Sequence, residues 1–255
     1  MHATLRLITL LLTLWLASLP VRAEDDFGLP VAQQQAVEPF DPSDPYEDFN
    51  RRMFQFNLEL HNTIGQPLVD AWHALPSPLR TGLHNVVTNL TVPWTVINDL
   101  LQGKVEKFAT DTMRFGLNTV LGLGGLLDIA SEAGMDYQPE DLGQTLYVWG
   151  VWRQSAYLVL PVLGPYTTRE LVGRSAGLVY DPVYDTLLNA DAYGRLGTRA
   201  VEIFIDYTDI APLLVEVQQQ PDPYIFAREA FLQSRLNALY DGHPPQPDID
   251  DIDLD

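Results

Sequence analysis

The amino-acid sequence predicts an all-α protein with little or no β structure. Apolar side chains recur at helical spacing through most of the chain between residues 44 and 240, and Asp-Pro, Ser-Pro and Gly signals separate these stretches. Only one short run is typical of a strand. After the first 23 residues, no apolar run approaches the roughly 18 residues that indicate a membrane-spanning helix. We therefore expect several amphipathic helices broken by proline and glycine.

The first 23 residues are typical of a cleaved signal peptide. Arg6 precedes an apolar run, and Val21 and Ala23 are the small residues that signal peptidase requires just before a cut at Glu24. The apolar run is about half as long as a bilayer span needs, although an uncleaved anchor is the alternative. Residues 24–43 are polar and contain scattered prolines, so they predict a flexible leader.

The first helix is expected to begin at Asp44, with the aspartate as its cap and Glu47 completing a capping box. Bulky apolar residues then recur at helical spacing and predict one aromatic-rich face. The residues of that face are Phe49, Met53, Phe56 and Leu60. Such a face packs either into a protein core or against lipid, and the pattern alone does not choose between them.

Two further helices are predicted before residue 125. One begins at Ser77, is expected to kink or break at Pro93, and ends at Gly103. The next runs from Lys104 to a glycine-rich segment. That segment contains Gly122, Gly124 and Gly125, which are expected to supply positive φ angles or a hinge.

The second half of the chain predicts shorter elements. Helical pieces cover residues 126–132 and 142–151, and the strand-like run is 157–160, which Pro161 excludes from the middle of a sheet. Two or three helices then cover 168–176, 196–207 and 210–219, and a last one, capped by Asp222, reaches about residue 240. Residues 241–255 are acidic and rich in proline, so they predict a disordered tail.

Composition excludes several classes of function. The net charge of −19 disfavours nucleic acid as a partner, because binding phosphates requires a basic surface. The absence of cysteine excludes disulfides, thiolate metal sites, a cysteine nucleophile and a lipid-modified cysteine. His61, His73 and His84 do not pair at helical spacing, so neither a metal site nor a cofactor is expected.

One short motif raises the possibility of hydrolysis. Gly173-Arg174-Ser175-Ala176-Gly177 matches the G-x-S-x-G elbow of lipases, which would make Ser175 the nucleophile of a phospholipase or esterase. That elbow needs a strand before the serine, whereas residues 167–172 predict the start of a helix. The only later histidine is His243, in the predicted tail. A small-residue helix contact is the favoured interpretation.

The sequence resembles the MlaA family, also called VacJ, of outer-membrane proteins in the lipid-asymmetry pathway. The likeness runs in order through about residues 44–240 and is densest at 122–128, at 143–150 and at 157–165. Besides 122–128, the segments that carry it are Asp44-Pro45-Tyr46-Glu47-Asp48-Phe49-Asn50-Arg51, Asn89-Leu90 with Pro93, Asn98 with Leu101-Gln102-Gly103, Arg114-Phe115 with Asn118-Thr119, Gly143-Gln144-Thr145-Leu146 with Trp149-Gly150, Tyr157-Leu158-Val159-Leu160-Pro161 with Gly164-Pro165, Asp222-Pro223-Tyr224, and Arg228-Glu229-Ala230-Phe231.

The resemblance implies a ring of helices lying in the inner leaflet of the outer membrane around an amphipathic channel. It implies that the protein removes misplaced phospholipid from the outer leaflet, passes it to a soluble periplasmic carrier and associates with a trimeric porin. No bond would be made or broken, so the protein would not be an enzyme. The chain departs from the family pattern because family members are commonly lipoproteins, and this one has no cysteine to acylate.

Two groups of residues are then predicted to matter for transport. The channel wall or gate is assigned to Gly122, Gly124, Gly125, Tyr157, Leu158, Leu160 and Pro161. Without an acyl anchor, membrane contact is assigned to apolar faces such as the first-helix face, Phe49, Met53, Phe56 and Leu60. A periplasmic phospholipase that uses Ser175 and a soluble helical scaffold remain the alternatives.

Overall fold

The computed structural model describes residues 39–179 and 192–245, apart from the side chains at 176–179, 192 and 195. The predicted signal peptide, most of the leader and residues 246–255 lie outside this part of the chain. Nine α-helices occur in it, with a short π-helical segment, His61–Gly65, joining the first two. The helices are α1 (Glu47–Leu60), α2 (Gln66–His73), α3 (Ser77–Gln102), α4 (Val105–Val120), α5 (Ile129–Glu132), α6 (Leu142–Val148), α7 (Thr168–Val179), α8 (Ala192–Gln218) and α9 (Pro223–Leu239).

The mainly helical fold class is confirmed, and the predicted strand is present. Strand β1 (Tyr157–Leu160) pairs antiparallel with β2 (Gly164–Thr167), whose formation the sequence did not predict. The turn between them contains Pro161, where no strand pairing is needed, and Val162 and Gly164 have positive φ angles of 70° and 86°. A hairpin therefore satisfies the backbone hydrogen bonds of a strand that proline prevents from entering a larger sheet.

Helix α1 begins later than predicted. Asp44 does not cap it, because its carboxylate is buried and accepts hydrogen bonds from Asn50 Nδ2 (3.0 Å), Arg228 Nη1 (3.1 Å) and the Tyr224 hydroxyl. The residue before the helix is Tyr46, and Glu47 instead pairs with Arg51 at 2.7 Å. The Asp44 carboxylate, which the local sequence pattern assigned to the helix cap, is therefore bound by other side chains, two of them far away in the sequence. The Asp222 cap is confirmed, since its side chain accepts from the amides of Tyr224 and Ile225.

Two positions where the sequence allowed a helix to break lie inside continuous helices. Helix α3 continues through Pro93, and α8 continues through Pro212 although the sequence allowed separate helices at 196–207 and 210–219. A proline inside a helix costs about 3 kcal/mol. In α3 the buried face continues before and after Pro93, since Val92 and Thr95 are both buried. In α8 a buried face likewise continues past Pro212, from Ile205 to Val217. Packing along the whole face offsets the lost hydrogen bond. Gly103, with φ 75°, ends α3 as predicted.

The interior is unusually polar. Among the described residues, nineteen polar or charged side chains are buried against eleven hydrophobic ones, whereas thirty large hydrophobic side chains are exposed. An apolar cluster of Tyr157, Val159 and Tyr224 lies where β1 meets α1 and α9. No helix in the described ranges is long and apolar enough to cross a membrane. Extensive exposed apolar surface marks contact with lipid or protein, and helices that lie in a membrane interface need this distribution.

Candidate functional site

A layer of polar side chains fills the space between three helices. Along α3, Thr95, Asn98, Asp99 and Gln102 are three or four residues apart and so share one helix face, whereas Asn89 lies nearly two turns earlier. Helix α4, helix α6 and the segment just before α6 present polar residues toward them. All of them are buried, which means that the helices turn their polar sides inward here. We call this set the inner polar layer. It consists of Asn89, Thr95, Asn98, Asp99, Gln102, Asp111, Arg114, Asn118, Glu140, Gln144 and Thr145.

Arg114 holds one end of the layer together. Its Nη2 donates to both oxygens of Asp128 at 3.1 Å, and Asn118, one helical turn further along α4, donates to the same carboxylate at 2.9 Å. Asp128 also caps α5 through Ser131. Burial opposes ionisation of this carboxyl, but the hydrogen bonds from Ser131 and Asn118 and the charge of Arg114 together lower its pKa to about 2. The carboxylate therefore stays ionised and fixes α5 to α4.

Glu140 organises the other end of the layer. Gln102 Nε2 and Gln144 Nε2 donate to its Oε2 at 3.0 and 2.8 Å. Lys104 and Lys107 bind its Oε1, and both lysines also pair with Asp241. Hydrogen bonds from charged donors offset the cost of burying this carboxyl group. This cluster joins α3, α4, α6 and the segment after α9.

The glycine-rich turn lets the chain pass close to α3. Gly124 and Gly125 have φ angles of 76° and 97°, so the predicted positive φ angles are confirmed at these two positions. A Cβ on Gly125 would lie 2.6 Å from Cβ of Asn89, and one on Gly122 would lie 2.2 Å from the carbonyl oxygen of Leu127. Leu123, by contrast, is 71% exposed. The turn packs its backbone against the inner polar layer and directs apolar side chains outward.

The hairpin is fastened to α1 by two asparagines. Asn50 donates to the carbonyl oxygen of Tyr157 (3.1 Å) and accepts from the amide of Val159 (2.8 Å). Asn57, two turns further along α1, donates to the carbonyl oxygen of Leu160 (2.8 Å) and accepts from the amide of Val162 (2.7 Å). The two asparagine side chains bond backbone groups of the hairpin that a third strand would otherwise pair. Helix α1 therefore satisfies the hydrogen bonds at this edge of the hairpin.

Comparison with known proteins decides the family. The family model described as MlaA lipoprotein matches residues 42–238. A protein of Shigella flexneri named intermembrane phospholipid transport system lipoprotein MlaA is 37% identical over 196 residues, covering 75% of this chain and 76% of that one. The protein of the same name from Escherichia coli (strain K12) is 37% identical, and the match covers 75% of this chain and 76% of that one. The one from Haemophilus influenzae is 34% identical, and the match covers 78% of this chain and 80% of that one.

This chain belongs to the MlaA lipoprotein family. A related chain, solved in work on the structural basis for maintenance of bacterial outer membrane lipid asymmetry, superimposes with a TM-score of 0.67 at 32% identity. The match covers 78% of this chain and 99% of that one. The resemblance seen in the sequence motifs is thereby confirmed. Unlike its relatives, which are named lipoproteins, this family member has no cysteine in its 255 residues.

In this MlaA-family fold the predicted gate residues occupy two separate places. Tyr157 is buried in the apolar cluster, Leu158 and Leu160 are half-buried, and Pro161 is exposed in the hairpin turn. Gly122, Gly124 and Gly125 lie instead in the turn between α4 and α5. Their role as channel wall or gate stays a prediction, as does the channel itself.

The predicted membrane face of α1 is divided between two environments. Phe49 and Phe56, seven residues apart, are 41% and 45% exposed, and Leu60 is half-buried. Met53 packs against the apolar cluster. Lipid contact along α1 would therefore come mainly from Phe49 and Phe56.

Ser175 lies within α7 and not on a strand-to-helix elbow. Its hydroxyl donates to the carbonyl oxygen of Leu171 at 2.7 Å, the bond that a serine makes inside a helix. The strand β2 ends at Thr167, eight residues before the serine. The geometry required by the G-x-S-x-G motif is therefore not formed.

The inner polar layer is the feature that reasoning from the sequence missed. Thr95, Asn98 and Gln102 recur at helical spacing, so the signal was present in the sequence. It was overlooked because periodicity was traced through apolar residues, on the assumption that these face inward.

Proposed function

We propose that this chain is an outer-membrane phospholipid-transport component. It removes mislocalised phospholipid from the outer leaflet and passes it to a soluble periplasmic carrier, so that lipid asymmetry is maintained. The observation that carries the proposal is the distribution of side chains in the described residues, where more polar than hydrophobic side chains are buried and many large hydrophobic side chains are exposed. The names of the three relatives and the subject of the related structure support the same role.

The distribution of polarity suits the physical task. A phospholipid that leaves a leaflet must keep its headgroup in polar surroundings and its tails away from water. Helices that are polar on one side and apolar on the other can supply both environments. In this proposal the hairpin turn, held by Asn57, and the turn at Gly122, Gly124 and Gly125 form the wall or gate of the lipid path.

The proposal also places the protein and its partners. The chain is exported by its first 23 residues and lies at the periplasmic face of the outer membrane, with exposed apolar side chains in the inner leaflet. Phe49 and Phe56 contribute to this contact, because the chain has no acylated cysteine. A trimeric porin and a soluble lipid carrier are the proposed protein partners. No bond is made or broken, and no cofactor is used.

Deletion of the gene tests the proposal. If this chain extracts phospholipid, the deletion strain should accumulate phospholipid in the outer leaflet, where a surface-restricted acylation reaction can quantify it. The wild-type gene and Ser175→Ala should both restore the low level, since Ser175 has no chemical role in transport. An unchanged outer-leaflet level in the deletion strain would refute the proposal, and failure of a stably produced Ser175→Ala to rescue would revive the hydrolase.

A further inference from the structure

A pair of carboxyl groups lies at the centre of the inner polar layer. Asp99 on α3 is fully buried and Asp111 on α4 is 2% exposed. The negative charge of Asp111 opposes ionisation of the Asp99 carboxyl. Among the described residues, no N–H or hydroxyl donor reaches either oxygen of Asp99. A buried carboxyl pair without donors is costly, so its presence calls for an explanation.

The nearby cations are committed to other acids. Lys107 faces the pair from α4, but its ammonium donates to Glu140 and Asp241. Arg114, also on α4, forms its ion pair with Asp128. Glu140, from the segment before α6, adds a further negative charge. Burial, with the charge of Asp111 adding to it, raises the pKa of Asp99 to about 7, and burial raises the pKa of Asp111 as well.

A cavity of about 210 Å³ opens onto Asp111. Its lining residues are Glu106, Lys107, Thr110, Asp111, Asp136 and Gln138. Since a water molecule occupies about 30 Å³ in the liquid, the cavity has room for a group the size of several waters. It presents three carboxyl groups and one ammonium group. Asp111 thus combines near-complete burial with a position in the cavity wall.

We propose that this cavity binds a zwitterionic headgroup that carries a primary ammonium next to a phosphate, as phosphoethanolamine does. The ammonium donates hydrogen bonds to the Asp111 carboxylate and reaches Glu106 or Asp136 with its other protons. The phosphate accepts from Lys107, whose ammonium has three protons and gives two of them to Glu140 and Asp241. The lipid origin of the headgroup rests on the proposed transport function, whereas the recognition chemistry rests on the cavity alone.

Soluble headgroups allow binding to be measured without transport. Purified full-length protein in detergent is titrated with glycerophosphoethanolamine, with glycerophosphoglycerol, which lacks the ammonium, and with ethanolamine, which lacks the phosphate. We expect glycerophosphoethanolamine to bind at least about tenfold more tightly than either of the others, because each lacks one charge-assisted contact. Equal affinity for glycerophosphoglycerol would overturn the ammonium site, and equal affinity for ethanolamine would overturn the headgroup assignment.

Two substitutions test the residues. Asp111→Asn keeps the shape but removes the charge, and we expect about tenfold weaker binding of glycerophosphoethanolamine. Asp48→Asn, an exposed aspartate on α1, is the matched control and should bind like wild type. If Asp111→Asn does not fold, Asp136→Asn, exposed at the cavity mouth, should still weaken binding severalfold. Unchanged binding in every folded cavity variant would refute the site.

The pH dependence gives an independent readout. Binding should tighten between pH 6 and 8 as Asp99 loses its proton and the pair becomes more negative. Asp99→Asn removes the group that titrates in this range, so binding should persist but lose this pH dependence. Retained pH dependence in Asp99→Asn would assign the effect to another group and overturn the role of the pair. Binding that is intact while the gene deletion leaves lipid asymmetry unchanged would refute transport and leave the site standing.

Discussion

At the scale of single residues, buried polar side chains connect the elements of this protein, as apolar side chains do in most protein interiors. Asn50 is fully buried and bonds Asp44, the carbonyl oxygen of Tyr157 and the amide of Val159. Its position on a mainly polar stretch of α1 makes it look like a surface residue in the sequence. In the structure it connects the helix, the hairpin and the segment before α1.

Replacing Asn50 with alanine should destabilise the protein by about 2–3 kcal/mol. The change leaves the amide of Val159 and the carbonyl oxygen of Tyr157 without their partner, and an unsatisfied buried group costs about 1–3 kcal/mol. Denaturant unfolding in detergent, followed by circular dichroism, measures the loss. Gln55→Ala, at an exposed position of the same helix, should change stability by less than about 0.5 kcal/mol. Similar values for both variants would contradict the assigned role.

Asp99 should make stability depend on pH between about 4 and 7. Its pKa is 3.8 in an ordinary environment and about 7 in the folded protein, mainly because of burial. In that window the folded state binds more protons than the unfolded state, so the free energy of unfolding falls as pH rises and levels off above pH 7. Asp128, whose pKa is lowered to about 2, acts with the opposite sign and mainly below pH 4.

Unfolding midpoints of wild type and Asp99→Asn, measured from pH 4 to 8, isolate this contribution. The variant should lose most of the downward slope, because its amide does not titrate. Asp209→Asn, at an exposed aspartate that pairs with His84, serves as the control and should keep the slope. Parallel curves for wild type and Asp99→Asn would show that another group titrates.

At the scale of elements, one side of a helix packs against the rest of the protein and another side is exposed. Helix α1 places Phe54 and Met53 against the apolar cluster and Asn50 and Asn57 against the hairpin. Its outer side carries Phe49 and Phe56. The pattern of spacing in the sequence merged these sides into one apolar face, because Met53 lies between the two phenylalanines along the helix.

Changing Phe49 and Phe56 together to glutamate should shift the protein from the membrane toward the soluble periplasmic fraction. Both side chains are exposed, so the new charges lie on the surface and not in the core. Each apolar side chain that is removed loses about 1.5–3 kcal/mol of favourable contact with lipid. Fractionation, with circular dichroism as the folding check, gives the result.

The matched control adds the same charge at polar positions. Gln55→Glu combined with Asn62→Glu places two carboxylates on exposed sites nearby and should leave the protein in the membrane. Asn50, another polar residue of α1, is unsuitable for this control because it is buried. Degradation of the phenylalanine variant without release would instead mean that Phe49 and Phe56 pack against other protein.

At the scale of the whole molecule, the first and last described helices are joined. Arg51 on α1 binds both oxygens of Asp222 at 3.1 and 3.0 Å and lies over the ring of Tyr224. Asp44, which precedes α1, accepts hydrogen bonds from Tyr224 and Arg228 of α9. The two Asp-Pro-Tyr segments of the sequence therefore meet, although about 180 residues separate them.

Asp44→Ala should destabilise this junction by about 3 kcal/mol. The substitution leaves the largely buried guanidinium of Arg228 without its buried partner, and breaking such a pair from one side is strongly unfavourable. Thermal unfolding in detergent and protease sensitivity near α9 are the measurements. Asp209→Ala, which removes an exposed ion pair with His84, should cost less than about 1 kcal/mol. An equally small effect at Asp44 would mean that the junction contributes little.

The sequence by itself determined the helical class, most helix positions, the strand at 157–160, the caps at Gly103 and Asp222, and the family. These features depend on local periodicity, on cap chemistry and on short motifs, all of which are present in neighbouring residues. The same local rules failed where a distant partner competed, as at Asp44, and where a continuous buried face carried α3 through Pro93.

Only the tertiary structure decided which side of each helix faces inward. A hydropathy pattern separates a polar face from an apolar one, but it does not state whether the apolar face meets protein or lipid, because both are low in polarity. The structure resolved this through contacts between residues far apart in sequence, such as Thr145 with Asn98 and Glu140 with Gln102. These bonds turn the polar faces inward and leave the apolar faces exposed, and they can form only after the helices have packed.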